Sequence, residues 1–77
     1  MKTITFQELI ELNNMLEEND LQVKIHIRDS CGGQAFWINK LDSTNIPTEV
    51  YEVLEKFFNQ RNIDISFNNK KTEFWSK

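Results

Sequence analysis

Eight residues constrain this chain more than any others. From Leu21 to Arg28, apolar Leu21, Val23, Ile25 and Ile27 alternate without a break with polar Gln22, Lys24, His26 and Arg28. Period two is the repeat of a β-strand, and an apolar set on one side only calls for a covering layer on that side and solvent on the other. The rest of the chain must supply that layer.

The residues ahead of the strand change period. Phe6, Leu9, Leu12 and Leu16 recur at helical spacing, Ile10 and Met15 widen the stripe, and Glu8, Glu11, Glu17 and Glu18 lie largely outside it. Thr5 and Glu8 fit a capping box, and Ile4 with Leu9 fits the accompanying hydrophobic staple. Asn19-Asp20 ends the helix, since Asn tolerates the left-handed conformation found at C-caps. Past the first strand, Asp29 to Gln34 reads as a connecting loop, shaped by Gly32 and Gly33, which permit positive φ. A second strand follows at about Ala35 to Lys40. With Phe36 and Ile38 toward the core, Trp37 faces the other way, beside His26.

Residues 41–46 form a polar connector, and Pro47 suits the first turn of a second helix. Val50, Val53, Leu54 and Phe57 give that helix its stripe. Tyr51 and Phe58 flank it, Glu49, Glu52, Glu55 and Lys56 form the wet side, and Asn62 is the C-cap candidate. Ile63, Ile65 and Phe67 alternate with polar residues in a third strand. A turn at 68–71 leads to a short fourth strand at Thr72 to Ser76. The pattern predicts one α+β domain over 1–77. It is a two-layer sandwich in the order α-β-β-α-β-β, with a mainly antiparallel sheet and both helices on one face. Phe36-Trp37 and Phe74-Trp75 hint at a weak structural duplication that no other sequence identity supports.

Size and charge narrow the function classes. A domain of 77 residues with 39% hydrophobic content, six Phe and two Trp has enough for one core and little room for a deep substrate cavity. A net charge of −3 gives no general pull toward nucleic acid. No apolar run approaches the roughly 20 residues that span a bilayer, so no membrane partner is expected. One cysteine cannot form an internal disulfide, and Met1 to Phe6 lacks the apolar segment of a signal peptide, so the cytoplasm is the expected compartment.

Cys31 is the one candidate nucleophile. Backbone N–H groups at Gly32-Gly33 and the charge of Arg28 would favour its thiolate, and His26 could act as a base. Yet His26 belongs to the outward strand face, and a free cysteine is most often a small buried hydrophobe. One His, one Cys and Asp29 fall short of the four ligands of a structural zinc site, so no metal and no cofactor are expected. Arg28-Asp29 reads more simply as a local ion pair or turn cap than as a ligand site. Gly32-Gly33 fits neither a P-loop nor a dinucleotide fingerprint.

The segment Lys24-Ile25-His26-Ile27-Arg28-Asp29-Ser30-Cys31-Gly32-Gly33-Gln34-Ala35-Phe36 resembles the signature of the RDAC family of small bacterial proteins, with Ser30 in place of the family's Ala. The resemblance implies a coherent cytoplasmic domain and puts weight on Arg28, Asp29, Cys31, Gly32, Gly33 and Gln34. The family has no assigned activity, so no reaction is implied.

The open sheet face carries the functional expectation. Trp and Arg dominate interface hot spots, and this face is expected to show Lys24, His26, Arg28 and Trp37, with Trp75. The same pattern also fits a Trp lying over Lys and Arg stems, or bases of single-stranded nucleic acid stacking on the indoles. The reading preferred is a non-catalytic protein-interaction module. Lys24, His26, Arg28, Asp29, Gln34, Trp37 and Trp75 contact a protein partner or a second copy in a homodimer, and no residue is catalytic. Two rivals stand beside it. One is a thiol carrier or redox protein using Cys31. The other is a phage-type stoichiometric inhibitor of a host defence complex, anti-CRISPR-like, whose acidic helices occupy a surface built for nucleic acid.

Overall fold

The computed structural model describes residues 3–30, 33–41 and 45–76, with backbone only at Asp29 and Ser30. Helix α1 spans Phe6–Glu18. The capping box forms as expected. The Thr5 hydroxyl accepts from the Glu8 N–H at 3.1 Å, and the Glu8 carboxylate accepts from the Thr5 N–H at 3.0 Å. The stripe is narrower than its spacing suggested. Leu12 and Leu16 are fully buried and Leu9 and Met15 pack against the core, but Phe6 is 75% exposed and Ile10 half exposed. At 100° per residue, Phe6 lies about 90° and Ile10 about 130° round the helix from the middle of the Leu9–Leu12–Leu16 face.

The strands are β1 (Val23–Ser30), β2 (Gly33–Lys40), β3 (Ile65–Phe67) and β4 (Glu73–Ser76), and helix α2 spans Thr48–Asn59. Pro47 occupies the N-cap of α2 rather than its first turn. The four strands form one antiparallel sheet in the order β1-β2-β4-β3. The β1–β2 register runs unbroken from Val23↔Lys40 to Ser30↔Gly33. The loop expected over Asp29 to Gln34 is therefore corrected: Asp29, Ser30, Gly33 and Gln34 belong to the strands. A two-residue connection suffices for an antiparallel hairpin, so the flanking polar residues extend the ladder. Cys31 and Gly32, and the connector residues Asp42, Ser43 and Thr44, lie outside the described residues.

Both helices end in the same way. Asp20 and Asn62 take left-handed backbone, φ 57° and 58°. Around them the Leu21 N–H donates to the Leu16 carbonyl and the Ile63 N–H to the Phe58 carbonyl, each at 3.0 Å. These six-to-one bonds are Schellman closures, which satisfy carbonyls at the helix end. Asn62 fills the role expected of it, whereas at α1 the left-handed residue is Asp20, not Asn19. Leu21 and Ile63 then turn into the core, 7% and 5% exposed.

The sheet is nearly symmetric about the boundary between β2 and β4. Phe36 and Phe74 face each other there, with stacked rings 4.9 Å apart. Phe58 meets both edge-on at 5.4 and 5.7 Å. Val23, Ile25 and Ile38 complete the inner face beneath Leu12, Leu16, Val50, Leu54 and Phe57. Phe58, read as a flanking residue, is 1% exposed and central, while Val53 is only partly buried.

Two side chains tie the first half together. The Asn13 amide donates to the Ile25 carbonyl at 3.1 Å and accepts from the Ile25 N–H at 2.7 Å. The Gln34 amide makes the same pair of bonds with the backbone of Ile4, at 2.9 and 2.8 Å. Arg61 joins the two helices. It donates to Glu8 at 2.8 Å and lies over the Phe57 ring at 3.6 Å.

Candidate functional site

The sheet has one face under the helices and one face open. Strand parity assigns Lys24, His26 and Arg28 on β1, Ala35, Trp37 and Asn39 on β2, Glu73 and Trp75 on β4, and Ser66 on β3 to the open face. Trp37 is 37% exposed and Trp75 43%. Large indoles left this open on a small domain are uncommon, and they are the residue type that anchors protein interfaces.

The register gives these side chains a fixed pattern. Trp37 stands opposite Glu73, and Trp75 opposite Ala35, so the two indoles are diagonal neighbours across β2 and β4. Arg28 stands opposite Ala35 on the other side. Because Ala35 is small, the Arg28 side chain reaches over it and donates to Glu73 on β4 at 3.3 Å. The ion pair and the pair of indoles thus occupy crossed diagonals of one patch. Arg28, Trp37, Ile38, Thr72 and Glu73 line a shallow cleft of ≈ 380 Å³ there. His26 stacks flat on Trp37, with ring centroids 5.0 Å apart and planes 15° apart. That contact covers one face of the indole, which remains 37% exposed overall.

Of the residues singled out in the sequence, Lys24, His26, Arg28, Trp37 and Trp75 come together on this face. Gln34 does not join them, because its amide is engaged with Ile4 under the helix layer. Asp29 pairs with Gln34 in the register, and its side chain is outside the described set. Gly33 begins β2. Glu73 was not anticipated. Its alternation with Phe74 was legible, but only the β2–β4 register brings it within reach of Arg28, 45 residues away.

Charge divides by layer. The helices carry Glu8, Glu11, Glu17, Glu18, Glu49, Glu52 and Glu55 against the single cation Lys56. The open face carries Lys24 and Arg28 against Glu73. On the helix side, the Thr5 N–H and then the Arg61 guanidinium stabilise the Glu8 carboxylate and hold its pKa below the ordinary 4.5. Burial raises the Tyr51 phenol above its ordinary 10.0, and its hydroxyl donates to the Lys71 carbonyl at 2.8 Å.

Among the described residues no three His, Cys, Asp or Glu side chains gather as metal ligands would. No described helix is long and apolar enough to cross a membrane. Compared with protein-family models, with curated proteins and with solved structures, the chain matches none.

Proposed function

We propose that this protein is a small non-catalytic interaction module of the cytoplasm that binds a protein partner through its open sheet face. The observation that carries the reading is the pair of exposed indoles, Trp37 and Trp75, flanking the Arg28–Glu73 pair on a face that no described element covers. A patch with aromatic centre and charged flanks, whose cleft is shallow and wide open, suits a protein surface better than a small molecule, which calls for concave burial. The cytoplasmic assignment rests on the single cysteine, which leaves the chain without an internal disulfide.

Trp37→Ala tests the reading. The indole is 37% exposed and stacks on His26, so its removal should cost about 1–3 kcal/mol of stability and leave the domain folded, while binding by the folded protein should weaken at least about tenfold. Tagged wild-type protein, Trp37→Ala and the helix-face variant Glu52→Lys are used to capture partners from the native host. A partner held by wild type and Glu52→Lys but lost with Trp37→Ala supports the reading. A melting temperature that collapses in Trp37→Ala, with binding by the folded fraction unchanged, makes Trp37 a core residue and overturns it.

The helix layer favours a second reading. Its seven glutamates with one lysine suit a stoichiometric inhibitor that occupies a basic, nucleic-acid-binding surface of a host defence complex. In that case Glu52→Lys, not Trp37→Ala, releases the captured partner, and the partner is a nucleic-acid-binding assembly.

A further inference from the structure

We infer that the occupant of the open sheet face is a second copy of this chain, docked face to face about a twofold axis. The inference rests on the reading of that face as a protein-binding surface, and it adds which protein. A twofold interface brings one patch against itself, so the patch must be self-complementary. Most charged patches fail this condition, because like charges meet like.

This patch meets it through its crossed diagonals. Arg28 on β1 and Glu73 on β4 end one diagonal, while Trp37 and Trp75 end the other. A twofold axis lying in the interface along the Trp37–Trp75 diagonal leaves Glu73 on one side and Arg28 about twice as far away on the other, two strands from Glu73, and the reach of the Arg28 side chain back toward Glu73 makes up the difference. The guanidinium of each copy then sits over the carboxylate of the other, and two ion pairs become a closed ring of four alternating charges. Both groups have capacity for it. Their side chains are 62% and 47% exposed, and the guanidinium has five N–H donors of which Glu73 engages one in the single copy. The indoles lie along the axis itself, so each meets its own counterpart, an arrangement open to aromatic stacking. The remaining close neighbours, His26, Ala35 and Ser66, introduce no carboxylate or fixed cation next to the ring.

The area sets the strength. Strands of eight, eight, three and four residues, at about 3.3 Å by 4.8 Å per residue, give roughly 360 Å² per copy and about 730 Å² in total, below the usual size of a specific interface. The dimer is accordingly weak, with a dissociation constant in the range of about 10 µM to 1 mM.

The test is a charge exchange between copies. Arg28→Glu places two carboxylates on the patch, and Glu73→Arg places two guanidinium groups there. Arg28 is exposed and Glu73 half-buried, and circular dichroism checks that each variant folds. Sedimentation equilibrium of wild type up to about 1 mM should show the 9.2 kDa species moving toward twice that mass. Each single variant should remain at 9.2 kDa over the same range, and their equimolar mixture should regain the doubled mass at least about tenfold more tightly than either variant alone. Wild type that stays at 9.2 kDa throughout, or a mixture no tighter than its components, overturns the inference. If that happens while a host protein is still lost with Trp37→Ala, the occupant is foreign and the reading of the face stands. If no protein is lost with Trp37→Ala either, both fall.

Discussion

The chain builds the same αββ unit twice, and the two copies differ in where they spend their residues. In the first, α1 leads into a hairpin of two eight-residue strands. In the second, α2 leads into strands of three and four residues. Each helix closes in a Schellman turn on a left-handed Asp20 or Asn62, each following apolar residue enters the core, and each hairpin places Phe on the inner face and Trp on the outer. The strand order β1-β2-β4-β3 is what two such units give when they meet along their second strands. The second unit supplies most of the aromatic core, with Phe57, Phe58 and Phe74. The first extends past the core and supplies most of the open face. Both halves thus fill the core, the first mainly with aliphatic and the second mainly with aromatic side chains, while the first alone extends into a display surface, and the two meet at the seam of Phe36 and Phe74.

The largest effect should come from that seam. Phe74→Ala removes a fully buried ring stacked on Phe36 and should destabilise by about 3–5 kcal/mol, a large part of what a domain this size has. Urea unfolding followed by indole fluorescence and by far-ultraviolet circular dichroism should still give one coincident transition. Two separated transitions would show that the halves fold independently and would break the comparison.

Next come the amide clamps of the first half, each of which holds both the N–H and the carbonyl of one residue. Gln34→Ala leaves the N–H and carbonyl of Ile4 without partners and should cost about 1–3 kcal/mol by thermal or urea unfolding. A loss below about 0.3 kcal/mol would show that solvent replaces both bonds. The helix closures sharpen the likeness instead. Asp20→Ala and Asn62→Ala should each cost about 1 kcal/mol, since a Cβ disfavours left-handed backbone and neither side chain remains to offset it. Unequal losses would make the two turns alike in shape only.

The smallest effect is a pH dependence at Glu8, set first by the α1 cap and then by Arg61. Glu8 has its folded pKa below its unfolded one, so its contribution is present above about 4.5 and is lost as pH falls through the lower folded value. Wild-type stability should therefore fall more steeply than that of Glu8→Gln as pH is lowered below 4.5. Parallel curves would mean that neither the Thr5 N–H nor the Arg61 guanidinium stabilises the Glu8 carboxylate.

Most of the element order was legible because periodicity is a local property. Alternation at 21–28 and helical spacing at 50–57 read off directly, as did the capping box at Thr5 and Glu8. What was missed depends on pairing. The extension of β1 to Ser30 and of β2 back to Gly33 needs the register, since Asp29 and Gln34 are polar and carry turn signals. Phe58 lies inside because Phe36 and Phe74 meet beneath it, which no spacing within α2 reveals. At the site, parity alone placed His26, Arg28 and Trp37 together. Glu73 and the reassignment of Gln34 to Ile4 required contacts between residues 30 or more apart in the chain.

The Asn13 clamp has a consequence for how the protein survives at high concentration. β1 is an edge strand, and the bonds at Ile25 show that its odd residues turn their N–H and carbonyl groups outward. Such a row is a template on which another chain can grow as a cross-β ladder. A carboxamide sets an N–H donor beside a carbonyl acceptor, as a peptide unit does, and Asn13 uses one of each on Ile25. Asn13 therefore ends the template in the middle of the strand and leaves Ile27 with too short a run beside it to seed a fibril.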